Sequence, residues 1–343
     1  MGDAAGIDAG ADGAERNAVV SRLADGLGLG FGTAQFGNLG RQTDQRTSDA
    51  AVAEAWAAGV RYFDTAPHYG LGLAERRLGL ALRGIPRDEV ILSTKVGRLL
   101  VPSPETAGER DPGFLVPASS RRVWDFSRDG VLASVEASLR RLRTDHVEIA
   151  YLHDPDHHWE AASTTGIEAL RELRDQGVVG AIGAAMNQAA MLTEFVRRCD
   201  VDIVMVAGRL TLLDRSAAEE LVPAATERGV AIVAAAVYNS GVLATDLPAA
   251  DATFDYAQAS TLVLDRARQI AAICRANGVS LPDAAVAFPR RFPSVVSTVV
   301  GMRTAEHVRE NLRRWNVAIP VDLWGDLESI DDTDSAEGVS ARS

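Results

Sequence analysis

Between Leu27 and Trp315 the chain alternates short β-branched or aliphatic runs with amphipathic stretches of helical period, and this alternation constrains the fold more than any other feature. The pattern predicts strands over Leu27–Thr33, Val60–Asp64, Val90–Lys95, Val147–His153, Val178–Ala184, Val201–Val206, Val230–Val237 and Val295–Gly301. It predicts helices over Thr47–Ala58, Leu73–Arg83, Asp129–Arg143, Thr165–Gln176, Gln188–Arg198, Asp214–Arg228, Thr261–Asn277 and Thr304–Trp315, with an additional one over Pro282–Arg290 before the last strand. Thr47 is read as an N-cap, and Gly59, Gly177 and Gly229 stand where a helix ends in a left-handed residue. The strand runs are apolar almost throughout rather than alternating, as in a parallel sheet covered by helices. Eight successive βα units make a TIM (β/α)8 barrel, a single α/β domain with long βα loops. A doubly wound sheet is the runner-up, but Gly28, Gly30 and Gly32 lack the spacing of a dinucleotide loop and no helix follows at once.

Tails flank the expected barrel of residues 21–329. Residues 1–20 are rich in Gly, Ala and Asp, residues 330–343 in acids and small side chains, and both are expected to be disordered. The N-terminus lacks the basic start and apolar core of a signal peptide, so the cytoplasm is the expected compartment. A net charge of −12 argues against nucleic acid or an anionic membrane as partner, and no apolar run reaches the roughly 18 residues of a membrane span. Cys199 and Cys274 have no spacing that fits a disulfide framework or zinc, so no metal is expected and both are read as buried hydrophobes.

In a barrel, residues at the C-terminal ends of strands face one pocket. Asp64 and Tyr69 follow the second strand, Lys95 ends the third, His153 ends the fourth and Asn187 follows the fifth. Taken singly, each residue has an ordinary structural explanation. Together they make a proton-transfer site: Lys95 neutralises Asp64, and its charge is expected to pull the Tyr69 phenol down from its usual pKa of about 10. Two long interruptions, Gly97–Phe126 and Ala244–Ser260, follow the third and seventh strands. Phe114, Trp124 and Phe126 mark the first either as a partly ordered lid touching substrate or as a surface excursion whose aromatics pack on the barrel.

FDTAPHYG followed by GLAERRLG, with STKVG and YLHDPD downstream, resembles the aldo-keto reductase superfamily over nearly all of Leu27–Trp315. YLHDPDHH and AGRLTLL are similar to the branch that includes aldose, fucose and pyridoxal dehydrogenases. The resemblance implies an NAD(P)-dependent oxidoreductase acting on a small polar carbonyl or alcohol, most simply an aldose. It makes Tyr69 the acid and base, Lys95 and Asp64 its tuners, and His153 the group that orients the reacting oxygen. It makes Asn187 a nicotinamide-binding residue and assigns Gly301, Arg303, Thr304, His307 and Asn311 to the adenosine-phosphate end of the cofactor. Tyr238 is a candidate for stacking on the nicotinamide, with a packing role the alternative, and His68, Trp124 and Phe126 for lining the substrate pocket.

Three departures bear on that expectation. Met186 stands where many members carry Ser, and Arg209 in AGRL stands near where a glutamine is common. His307 stands where many carry the Arg that would grip a 2′-phosphate, so NAD is favoured slightly over NADP, with Arg303 keeping NADP open. The partner is a small-molecule substrate, and a monomer or small homo-oligomer is expected. Two other readings share the residues: a Schiff-base lyase using Lys95, and a slow-turnover regulatory protein that keeps the nicotinamide cleft.

Overall fold

The computed structural model describes residues 17–255 and 257–329. Eight parallel strands close into a barrel: β1 Leu29–Gly32, β2 Tyr62–Asp64, β3 Ile91–Val96, β4 Val147–His153, β5 Val179–Met186, β6 Ile203–Ala207, β7 Ala231–Ala235 and β8 Val295–Gly301. Each strand pairs with its sequence neighbour, and β1 closes on β8 through Leu29 opposite Thr298 and Gly32 opposite Gly301. The expected fold is therefore the observed one. The apolar runs are explained by their surroundings: β3, β4 and β6 are buried nearly end to end, because one face packs into the barrel and the other beneath helices.

The outer ring is α1 Gln45–Ala57, α2 Leu73–Ala81, α3 Arg128–Leu142, α4 Ile167–Asp175, α5 Ala189–Arg198, α6 Leu221–Arg228, α7 Thr261–Ala276 and α8 Ala305–Trp315. Two local expectations are corrected. The N-cap of α1 is Asp44, not Thr47: its carboxylate accepts the Thr47 N–H at 2.7 Å. The helix expected over 214–228 is broken into Ser216–Glu219 and α6, because Pro223 offers no N–H to the preceding turn. Gly59, Gly177 and Gly229 do take positive φ at helix ends, and Leu281–Ala287 is the additional helix before β8.

At the N-terminal end of the barrel, helix Ala18–Ala24 buries Val20 and Leu23 against the interior layer of Tyr62, Ile91, Ile149 and Tyr151. Asn17 caps this helix and its amide donates to Gly180 O and Asp202, so residues 17–20 belong to the barrel rather than to a tail. The remaining tail residues, 1–16 and 330–343, lie outside the described residues. Cys199 and Cys274 are free and buried. Among the described residues no helix is long and apolar enough to cross a membrane.

The first interruption is an antiparallel arm, Arg98–Pro102 paired with Ser120–Trp124. Its start is set by Gly97, whose φ of +96 suits glycine and where a Cβ would fall 2.0 Å from the Phe126 ring. Arg122 on the arm binds Asp111 and donates to His68 O at 3.0 Å, tying the arm to the loop after β2. The second interruption carries a short pair, Thr253–Phe254 with Ala257–Gln258.

Candidate active site

The strand ends and the two insertions enclose a cavity of about 940 Å³ at the C-terminal face of the barrel. Its floor is the β2–β3 register. Asp64 lies opposite Ser93 across that pair, which sets Lys95 one step further along β3 and on the same inward face. Lys95 Nζ donates to both Asp64 oxygens, at 2.7 and 2.8 Å, and to Thr65 O at 3.0 Å. Ser93 Oγ donates to Asp64 Oδ1 at 2.7 Å and lies 3.1 Å from the Tyr62 hydroxyl, which is 3.4 Å from that of Tyr151. The carboxylate expected to need a partner therefore has Lys95 above it and a ladder of hydroxyls below.

Tyr69 leans over this pair, with Lys95 Nζ 5.0 Å from the ring centroid. His153 meets Tyr69 edge-on at 6.0 Å and His68 edge-on at 5.7 Å, and Phe114 closes against His68 at 5.3 Å. Burial disfavours the charge on Lys95, but Asp64 and Tyr69 outweigh it and the ammonium is held more firmly than usual. The expected direction for Tyr69 is corrected. Burial outweighs the pull of Lys95 and the phenol is pushed up to about 12, a desolvation that no sequence pattern reveals. Burial, followed by the charges of Arg98 and others, presses His153 well below the usual histidine range and His68 down to about 3. Both imidazoles are neutral at physiological pH, and each has an unpartnered Nδ1.

The opposite wall carries Asn187, Tyr238 and Gly301. Asn187 Nδ2 donates to Ala207 O at 3.1 Å, and the Tyr238 hydroxyl donates to Asn311 Oδ1 at 2.7 Å. At Gly301 a Cβ would meet the Gln35 amide at 2.5 Å, and Gln35 Oε1 is buried without a partner on the same wall. A glycine cradle with unspent amide groups suits a polar aromatic amide such as nicotinamide.

Other expected residues stand elsewhere. Arg303 is buried and its guanidinium donates to Leu39 O, Arg41 O and Thr43 Oγ1, so it is consumed by the loop over residues 35–43. Thr304 caps α8 by accepting from His307 N, and Asn311 donates to His307 O; none of the four lines the cavity. Trp124 and Phe126 also stand outside it, stacked on each other at 6.0 Å, with Arg98 over the Trp124 ring at 4.4 Å. They support Arg98 from behind and do not line the pocket. Gln35, Ser93, Arg98, Asp154 and Asp156 were not singled out by the sequence, although YLHDPD held two of them in plain view.

Residues 28–332 match the Aldo/keto reductase family. D-threo-aldose 1-dehydrogenase of Pseudomonas sp is 45% identical over 303 residues, covering 87% of this chain and 92% of that protein. Pyridoxal 4-dehydrogenase of Microbacterium luteolum is 35% identical over 319 residues, covering 88% and 93%. Among solved structures, an aldo-keto reductase from Bacillus halodurans superposes with a TM-score of 0.68 at 24% identity, covering 88% of this chain and 91% of that one.

Proposed function

The chain belongs to the aldo/keto reductase family, oxidoreductases of carbonyl and CH–OH groups, and we propose that it oxidises an aldose at the anomeric carbon with NAD. The observation that carries this reading is the convergence of Asp64, Tyr69, Lys95 and His153 on one cavity, with lysine charged and histidine neutral. Bound nicotinamide supplies the hydride acceptor, and Asn187, Gln35, Tyr238 and Gly301 are the residues that would hold it. The protein's own part is proton transfer and orientation. Tyr69, as its phenolate, accepts the proton of the anomeric hydroxyl at Oη in oxidation, and the resulting phenol returns it in reduction. Because burial holds the phenol protonated, its conjugate base depends on the fixed ammonium of Lys95 beside it. Asp64 and Ser93 fix that ammonium in place. Neutral His153 lines the cavity and hydrogen-bonds the reacting oxygen through its ring without competing as an acid.

Two features support the substrate and cofactor. The relative of highest identity given above is named for an aldose, and the cavity wall is polar enough for one. Arg303 is spent on loop carbonyls and position 307 is a half-buried histidine, so neither of the two positions expected to grip a 2′-phosphate offers a free guanidinium. A screen of aldoses and pyridoxal with each cofactor, following nicotinamide absorbance, tests this. We expect aldose oxidation with a kcat/KM for NAD at least equal to that for NADP. Oxidation of pyridoxal alone, or a clear NADP preference, would refute the assignment.

A further inference from the structure

We propose that Arg98, Asp154 and Asp156 form a hydroxyl-recognition subsite that makes the cavity selective for neutral polyhydroxylated substrates over anionic or hydroxyl-poor carbonyls. The inference rests on the reading of this cavity as a carbonyl and alcohol oxidoreductase site and names what distinguishes its substrates. All three residues line the cavity on the side of His68 and His153. Arg98 opens the arm after β3 and is ion-paired to Asp154, which follows His153 directly. Trp124 covers one face of the guanidinium, so Arg98 is held in a fixed plane against the wall.

Three observations point from this cluster to a ligand. First, Arg98 Nε, Asp156 Oδ1 and the Nδ1 atoms of His68 and His153 are all buried without a hydrogen-bond partner. A buried polar atom left unpaired costs about 1–3 kcal/mol, and all four residues line the cavity, so a ligand that pairs with these side chains at the wall would be favoured there. Second, Asp154 has a φ of +42, a conformation non-glycine residues take at a cost, and its N–H is pinned to Ala185 O at 2.9 Å. Its carboxylate stands 3.6 Å from His153 Nε2. Third, the donor and acceptor complement is mixed. A sugar hydroxyl donates one proton and accepts through two lone pairs, so it needs a carboxylate and an N–H donor side by side, which is what the cluster offers.

The charge count sets what the subsite rejects. Arg98 is already neutralised by Asp154, leaving Asp156 as excess negative charge. A carboxylate or phosphate on the substrate would meet that charge in a partly desolvated corner and find no free cation there. A simple aliphatic aldehyde would leave the unpaired atoms unsatisfied and gain little.

The test compares NAD-dependent oxidation of D-arabinose, its terminal phosphate ester and pentanal, the last through its aldehyde hydrate, with wild-type protein, Asp156→Asn and Arg98→Gln, monitoring cofactor affinity and far-UV circular dichroism for each variant. In the wild type, kcat/KM should favour arabinose over its phosphate by about tenfold or more. Both variants should lower the ratio of arabinose to pentanal kcat/KM by about tenfold or more, and Asp156→Asn should also narrow the gap between arabinose and its phosphate. An unchanged arabinose-to-pentanal ratio in a folded Asp156→Asn protein, or a wild-type preference for the phosphate, overturns the subsite. Failure of the wild type to turn over all three with either cofactor would instead overturn the oxidoreductase reading beneath it.

Discussion

At the scale of single residues, the chemistry rests on one phenol whose environment opposes its ionisation and one lysine that favours it. Burial wins, so Tyr69 is a stored proton. Replacing it by Phe keeps the ring against His153 and Phe114 and removes only the acid. Tyr69→Phe should lower kcat by about 10²-fold or more while leaving the NAD dissociation constant within about twofold, as read by fluorescence titration. Loss of cofactor affinity with normal turnover would contradict the role. The histidines make a second claim at this scale. His68 is depressed to about 3, below the 6.5 of an unfolded histidine, and His153 is shifted the same way. The unfolded chain therefore takes up protons first as pH falls. The stability that comes from keeping these rings neutral is complete above about pH 6.5 and is lost progressively toward pH 3. The urea midpoint should drop between about pH 7 and pH 5, and His68→Phe should shrink that drop; an equal drop in both proteins would contradict it.

At the scale of elements, the barrel strands and the eight helices were legible because burial on both faces leaves an apolar run that few other folds produce. β4 and β8 match their predicted bounds, and the other strands differ at their ends. What sequence did not reveal is where side chains are used up. Arg303 reads as a phosphate ligand by its place before α8, yet four oxygens of a distant loop claim its guanidinium. Trp124 and Phe126 read as pocket aromatics, yet the arm's pairing turns them to the outer side of Arg98. The arm itself turns on Gly97, where the backbone sits at φ +96 and the Phe126 ring occupies the space of a side chain. Gly97→Ala should lower the unfolding free energy by about 1–3 kcal/mol in urea titrations, with a lower kcat/KM because Arg98 and Phe114 are displaced. Unchanged stability would show that the arm does not depend on that approach.

At the scale of the whole molecule, the fold divides labour between its two ends. The N-terminal end is closed by helix Ala18–Ala24, and the C-terminal end gathers the charged and aromatic side chains in a single cavity. One wall of that cavity offers amide groups and glycine, the other offers acid, base and hydroxyl partners, and the reaction is read as hydride passing between what the two walls hold. Lys95 is the residue on which the competing chemistry, a Schiff-base lyase, also depends, but that chemistry needs a neutral amine and Asp64 holds this one charged. The most direct measurement mixes the protein with NAD and an aldose deuterated at the anomeric carbon. The account predicts that deuterium appears on the reduced nicotinamide and that turnover slows with the heavy isotope; an unlabelled cofactor, together with borohydride trapping of the sugar on Lys95, would contradict it.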